Sequence, residues 1–178
     1  GVIPSDDQDI VSRIVYDEHG RVKYEETEAG LNTAGLQTWY AYDGQGHRIK
    51  TIVAPSNPAA DPRQDSYVPS SEPDKDLITR TIYDANGRIQ REQDVQGRWT
   101  LRGYNRGGRQ VCLIQNASHP DFFAMPSALE DLSNYGPLST DSDQDQITRT
   151  SYDALGRVKT VTDPQGSVTY TVYDEMGR

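Results

Sequence analysis

The chain has 178 residues, 34% of them hydrophobic, with a formal net charge of -9 and a pI near 4.7. An acidic surface repels phosphate backbones and anionic headgroups, which argues against nucleic acid and membrane as partners, and no stretch approaches the ~20 apolar residues of a membrane span. A mean hydropathy of -0.80 is too polar for an ordinary single-core globule, yet 11 tyrosines, mostly at fixed places in a repeat, argue against disorder.

In chain order, the first predicted element is the leader "DQDIVSRIVYD", a strand closing on Tyr16 and followed by a reversal over Asp17–Gly20. Arg21 begins the returning strand, and Asn32–Gly35 is the next turn. "LQTWYAY" then runs as a strand to Tyr42, with a turn over Asp43–Gly46. Residues 54–73 form a long connection, "APSNPAADPRQDSYVPSSEP". The second leader, "DKDLITRTIYD", closes on Tyr83 before the turn Asp84–Gly87 and Arg88. A turn at Asp94–Gly97, the strand "RWTLRGY" to Tyr104 and a degenerate turn at Asn105–Gly108 follow. The second long connection covers 116–142, where Ser127–Glu130 reads as a capping box with Gly136 beyond it, enough for a turn or two of helix. The third leader, "DQDQITRTSYD", closes on Tyr152, and the turn Asp153–Gly156 leads to Arg157. "DPQG" at Asp163–Gly166, the strand "SVTYTVY" to Tyr173 and the turn Asp174–Gly177 complete the pattern.

Two repeats are nested here. Tyr16, Tyr83 and Tyr152 are 67 and 69 residues apart, each behind the same leader. This predicts super-units over about 7–73, 74–142 and an incomplete 143–178, each built on two Tyr-Asp motifs. Eight of the ten prolines lie in the long connections, as expected if the rest is paired strand.

The motif Tyr-Asp-x-x-Gly-Arg has a local physical logic. Aspartate at the first position accepts backbone hydrogen bonds from within a type I turn. Glycine at the fourth takes the positive φ that closes a bulged hairpin. Tyrosine ends the strand with an aromatic that packs on a neighbour, and the arginine stem covers an aromatic face. Ile49 and Val111 lie three residues after the glycine, whereas Val22, Ile89 and Val158 lie two after. That difference predicts a bulge or longer turn in the second motif of each unit. Strand faces alternate, with Thr38, Tyr40 and Tyr42 on one and Trp39 and Ala41 on the other, so neither face reads as fully dry. The fold class is therefore all-β: an antiparallel meander coiling into a curved wall, hollow shell or tube.

"YDANGRIQREQDVQGRWT" and "YDALGRVKTVTDPQGSVTYTVYD" resemble the Rhs/YD repeats, and the likeness covers about 110 residues. Those repeats occur in Rhs polymorphic toxins, cocoon-forming subunits of insecticidal toxin complexes, bacterial wall-associated proteins and animal teneurins. The resemblance implies a strip of strands spiralling round a hollow interior, which in toxin members encloses a cytotoxic segment freed by an aspartyl autoprotease. No such protease core is legible here. The regular super-unit departs from a closed toxin cocoon.

Catalytic and metal chemistry find little support. "DSDQDQ" at 141–146 begins like a calcium loop, but Gln146 and Tyr152 stand where glycine and glutamate are required. The recurring pairs Asp7/Asp9, Asp74/Asp76 and Asp143/Asp145 read as a solvated acidic loop or as partners of Arg13, Arg80 and Arg149. His19, His47 and His119 have no spaced co-ligand. Cys112, the single cysteine, sits in an apolar run and reads as a buried, inert thiol. Trp39 and Trp99, with Tyr40 and Tyr170, are candidates for stacking on sugar rings, or else are packing. "NAS" at Asn116 fits a glycosylation acceptor.

The reading is a non-enzymatic, cofactor-free structural scaffold, extracellular or at the cell surface. Its alternatives are the enclosing shell of a polymorphic toxin and a carbohydrate-binding adhesin. Partners expected are neighbouring repeats, other copies, an enclosed toxin polypeptide or surface glycans. Opening on Gly1 and stopping inside "YDEMGR", the chain reads as a piece of a longer protein. Its structural residues are Tyr16, Asp17, Gly20, Arg21, Tyr42, Asp43, Gly46, Tyr83, Asp84, Gly87, Arg88, Asp94, Gly97, Tyr104, Gly108, Tyr152, Asp153, Gly156, Arg157, Asp163, Gly166, Tyr173, Asp174 and Gly177.

Overall fold

A computed structural model describes residues 10–29, 35–117, 143–174 and 176–177. The helical turn expected at Ser127–Glu130, the turn start Asn32, His119 and the aspartates Asp7, Asp9 and Asp141 lie outside those residues. The described chain is all-β apart from a three-residue 3-10 turn at Pro58–Ala60.

Eleven strands follow one another: β1 Ile10–Tyr16, β2 Val22–Ala29, β3 Leu36–Tyr42, β4 Arg48–Val53, β5 Leu77–Tyr83 and β6 Ile89–Gln93, then β7 Trp99–Tyr104, β8 Gln110–Ala117, β9 Gln146–Tyr152, β10 Val158–Thr162 and β11 Val168–Tyr170. Their order in the sheet is their order in the chain, an uncrossed meander. Short loops between β-formers favour this arrangement, because each strand finds its partner at minimal loop-closure cost. The chain divides into two compact units, 1–80 and 81–178.

Both units use the same register. In the first, Trp39 pairs with Ile52, Lys50 with Arg80, and Ile52 with Ile78. In the second, Leu101 pairs with Ile114, Cys112 with Arg149, and Ile114 with Ile147. These positions correspond one to one, since Ile52 and Ile114 each lie ten residues after a motif tyrosine. Both are fully buried. The face that looked mixed is thus dry at its centre. Trp39 and Ile52 are buried in the first unit, while Leu101, Cys112, Ile114 and Ile147 form a cluster in the second, with Trp99 and Ala117 packed against it. Each fully buried Ile or Leu contributes about 1.5–3 kcal/mol.

The bulge expected only in the second motif is present after both kinds. Tyr16 pairs with Val22, Tyr42 with Arg48, Tyr104 with Gln110 and Tyr152 with Val158, always six residues on. In all four hairpins the register then slips by one. The bulged residue is Lys23, Ile49, Val111 or Lys159, so the motifs differ in what occupies the bulge and share the same turn.

Candidate functional site: the linked tyrosine–aspartate turns

Eight Asp/Asn-x-x-Gly segments are described, and they are built alike. The glycine N–H donates to the carbonyl of the first residue at 2.9–3.1 Å, and all eight glycines have φ between 75° and 89°. In seven, the N–H of the first residue donates to the carbonyl of the fifth. The Asp17 carboxylate shows why aspartate suits the first position. Its Oδ1 accepts from the N–H of His19 and of Arg21, both at 2.9 Å, and its Oδ2 takes Arg21 Nε at 2.8 Å. The same Arg Nε to Asp Oδ2 bond joins Arg88 to Asp84, Arg98 to Asp94 and Arg157 to Asp153. At the second turn histidine replaces arginine, and His47 Nδ1 lies 3.0 Å from Asp43 Oδ2.

These bonds hold the carboxylates charged. At Asp153 the backbone N–H and then the side chain of Arg157 pull the carboxyl below its usual range. Burial works the other way at Asp84, but the hydrogen bonds from Arg88 and Asn86 outweigh it.

The turns are also linked to one another. Tyr42 Oη donates to the carbonyl of Val22 at 3.0 Å, Tyr104 to Ile89 at 2.7 Å, Tyr152 to Gln110 at 2.7 Å and Tyr173 to Val158 at 3.0 Å. Each acceptor is the residue just after a turn's fifth position. The arginine there lies over the same tyrosine ring: Arg21 over Tyr42 at 4.7 Å, Arg88 over Tyr104 at 4.4 Å and Arg157 over Tyr173 at 4.2 Å. Tyrosine, aspartate, glycine and arginine therefore form one device. Aspartate folds its own turn and orients the arginine, and the arginine seats the tyrosine of a neighbouring motif.

A second constellation closes the first long connection. Asp76 donates its N–H to the carbonyl of Ala54 at 2.9 Å, and both residues have positive φ, 50° and 52°. The Asp76 carboxylate is buried. It accepts from Tyr67 Oη at 2.5 Å, from the Ser56 N–H at 3.1 Å and from the Ser70 N–H at 2.8 Å. Burial opposes its ionisation, but these bonds keep its pKa lowered. The loop then returns to the sheet: Pro62 is fully buried and its carbonyl accepts from Lys50 Nζ at 2.9 Å. The second connection is closed by the same pair of positions, with the Asp145 N–H on the Asn116 carbonyl at 3.1 Å and φ of 52° and 51°.

The expectation of solvated or arginine-paired aspartates is therefore corrected at Asp76, whose carboxylate meets two backbone N–H groups and a phenol inside the loop. Asp145 is likewise buried. The sequence signal was present but unread: Tyr67 stands in a proline-bracketed connection, outside every Tyr-Asp motif.

Trp39 is 5% exposed and stacks on Tyr24 with ring centroids 4.6 Å apart, while its Nε1 donates to Gln37. A sugar at Trp39 would have to displace Tyr24. Trp99 is half-buried on the Leu101 cluster, Tyr40 is buried under Arg48, and Tyr170 is exposed. Cys112 is buried, and burial pushes its thiol up to about 11. Among the described residues no three His, Cys, Asp or Glu side chains are placed to hold a metal ion, and no helix is long and apolar enough to cross a membrane.

Repeated turns that fold locally and brace one another define a structural repeat scaffold. Residues 140–178 match the family model described as RHS Repeat, so this chain carries an Rhs-type repeat. No curated protein matches the sequence. Among solved structures, the chain is similar to the Tc holotoxin pore of Photorhabdus luminescens, at 15% identity and a TM-score of 0.40 over 89% of this chain and 9% of that one. It is also similar to TcdB2–TccC3 without its hypervariable C-terminal region, at 17% identity and a TM-score of 0.27 over 93% of this chain. A further TcdB2–TccC3 structure gives 17% and 0.26. The chain spans 11% and 12% of those last two chains.

Proposed function

We propose that this chain is a length of non-enzymatic structural wall, part of an exported hollow shell, tube or filament made of Rhs-type repeats. The observation that carries this reading is the tyrosine link from turn to turn. At four turns, 17–21, 84–88, 105–109 and 153–157, the carbonyl after the arginine receives the tyrosine of another motif, a link that further repeats can continue. Its partners are then further repeats, in the same polypeptide or in other copies. The described residues offer carboxylates engaged in folding turns and a thiol held protonated by burial, which suit a wall better than a reaction centre. Electron microscopy of the purified chain with light scattering for mass tests the reading. Tubes, filaments or closed particles support it; a chain that stays monomeric under all conditions removes the self-assembling form.

A further inference from the structure

One turn differs from the rest in its third residue. Across the described turns that position carries histidine, glutamine, glycine, leucine or methionine, but in the turn 84–88 it is Asn86. Asn86–Gly87 is the single Asn-Gly pair in the chain, and Asn86 is exposed at the tip of its turn.

That pair has a chemistry of its own. A glycine has no Cβ to keep its nitrogen from the side-chain amide of the residue before it. The Gly87 nitrogen gives its proton to solvent base and bonds to Asn86 Cγ. The Cγ–Nδ2 bond breaks, and ammonia leaves with a proton from water. Water then opens the resulting cyclic imide at one of its two carbonyls. Opening at Cγ gives aspartate. Opening at the backbone carbonyl gives isoaspartate, with Gly87 now joined through Cγ. The net change is water in and ammonia out, with no oxidation or reduction.

The folded turn restrains the first step. The attacking nitrogen is the one whose N–H donates to the Asp84 carbonyl at 3.0 Å, and the Asn86 N–H is held on Asp84 Oδ1 at 2.9 Å. The same Oδ1 takes the Arg88 N–H at 2.9 Å. Asp43–Gly44, the one Asp-Gly pair, is a poorer site: Asp43 Oδ1 accepts from the N–H of Gln45 and of His47, and a carboxylate anion resists attack by an amide nitrogen.

We propose that Asn86 is a site of spontaneous covalent conversion to aspartate and isoaspartate, gated by opening of the 84–88 turn. The two products differ in consequence. Aspartate has the shape of asparagine and adds only a charge. Isoaspartate puts an extra methylene into the backbone between the two ends of the turn. The bonds from Gly87 N–H to the Asp84 carbonyl and from Asp84 N–H to the Arg88 carbonyl then lose their geometry. Arg88 lies over the Tyr104 ring, and Tyr104 Oη bonds the next carbonyl, Ile89, so this product also loosens the link between turns.

The test incubates the full chain at mildly alkaline pH and follows it by tryptic peptide mapping, beside the free peptide Thr81–Arg88. Conversion raises the mass of that peptide by about one unit, and isoaspartate elutes as a separate peak. Asn86 should convert before any other asparagine, and about tenfold or more slowly than in the free peptide, because only the opened turn reacts. Asp84→Ala removes the carboxylate that holds the turn and should bring the rate close to that of the peptide; Arg88→Gln, which keeps the backbone bonds, should fall between, and His19→Ala should change nothing. Hydrogen exchange over 89–104 should rise in the isoaspartyl fraction and stay unchanged in Asn86→Asp. Equal rates in chain and free peptide, or in Asp84→Ala and the parent chain, would overturn the gate. Absence of conversion at Asn86 in Asp84→Ala would overturn the site.

Discussion

Gly156 and Gly20 occupy the same place in the motif, at φ of 80° and 75°, but in different surroundings. A Cβ at Gly20 would meet nothing within 4 Å, whereas one at Gly156 would collide with Arg109. Gly20→Ala therefore isolates the left-handed backbone, and should cost about 1–2 kcal/mol. Gly156→Ala should cost more, because the guanidinium must also leave its seat. Valine at Gly87 (φ 75°) should be worse than alanine, since a branched side chain resists positive φ. Chemical denaturation of the three variants beside His19→Ala, an exposed change, checks the order. Equal midpoints would remove the turn glycines from the stability argument. This scale was the most legible in the sequence, because a turn of five residues carries its own chemistry: the aspartate, the glycine and their bonds lie within one window. The tyrosine acceptors were not legible. Val22 and Ile89 lie 20 and 15 residues from Tyr42 and Tyr104, and only strand register brings them together.

At the scale of elements, the connection 54–76 behaves as a folded loop rather than a linker. Tyr67→Phe removes the phenol that donates to Asp76 and accepts from the Asn57 N–H at 3.2 Å, so the buried carboxylate loses one of its three partners. A cost of about 1–3 kcal/mol is expected. Hydrogen exchange should rise over 54–76 before it rises in β4 or β5. Unchanged exchange in the loop would mean that Pro62 and Lys50 hold it without the knot. Acid should act on the same groups. Asp76, Asp84, Asp94 and Asp153 all have folded-state pKa values below the ordinary 3.8. The folded chain therefore binds protons more weakly than the unfolded one. The stability these groups add is complete above the ordinary carboxyl range and is lost as pH falls through it and beyond. A urea midpoint that is flat near neutrality and drops below about pH 4 is expected; a midpoint rising on acidification would reverse the sign. The super-unit boundaries were expected from leaders and prolines alone. What the leaders could not convey is that their inner aspartate closes a loop, since an Asp-x-Asp in a polar context looks the same whether solvated or buried.

For the whole molecule, the question is how far a local injury travels. Among the described turns the links run between motifs close in the sheet: Tyr42 to Val22, Tyr104 to Ile89, Tyr152 to Gln110, Tyr173 to Val158. Each compact unit also has its own buried residues, around Trp39 and Ile52 in one and Leu101, Ile114 and Ile147 in the other. A chain organised this way has stability that is nearly a sum of repeat terms and nearest-neighbour terms. Gly156→Val breaks the β9–β10 turn and, through Arg109 and Tyr152, disturbs the adjoining 105–109 turn. Native-state hydrogen exchange by mass spectrometry should then show lost protection in 146–170, a smaller loss in 99–114 and none in 36–53. A single cooperative unit would instead lose protection everywhere by the same free energy, and that result would contradict the nearest-neighbour picture. The distinction bears on function, because a wall that yields one hairpin at a time can bend, grow or be patched along its length, whereas an all-or-none wall fails as a whole.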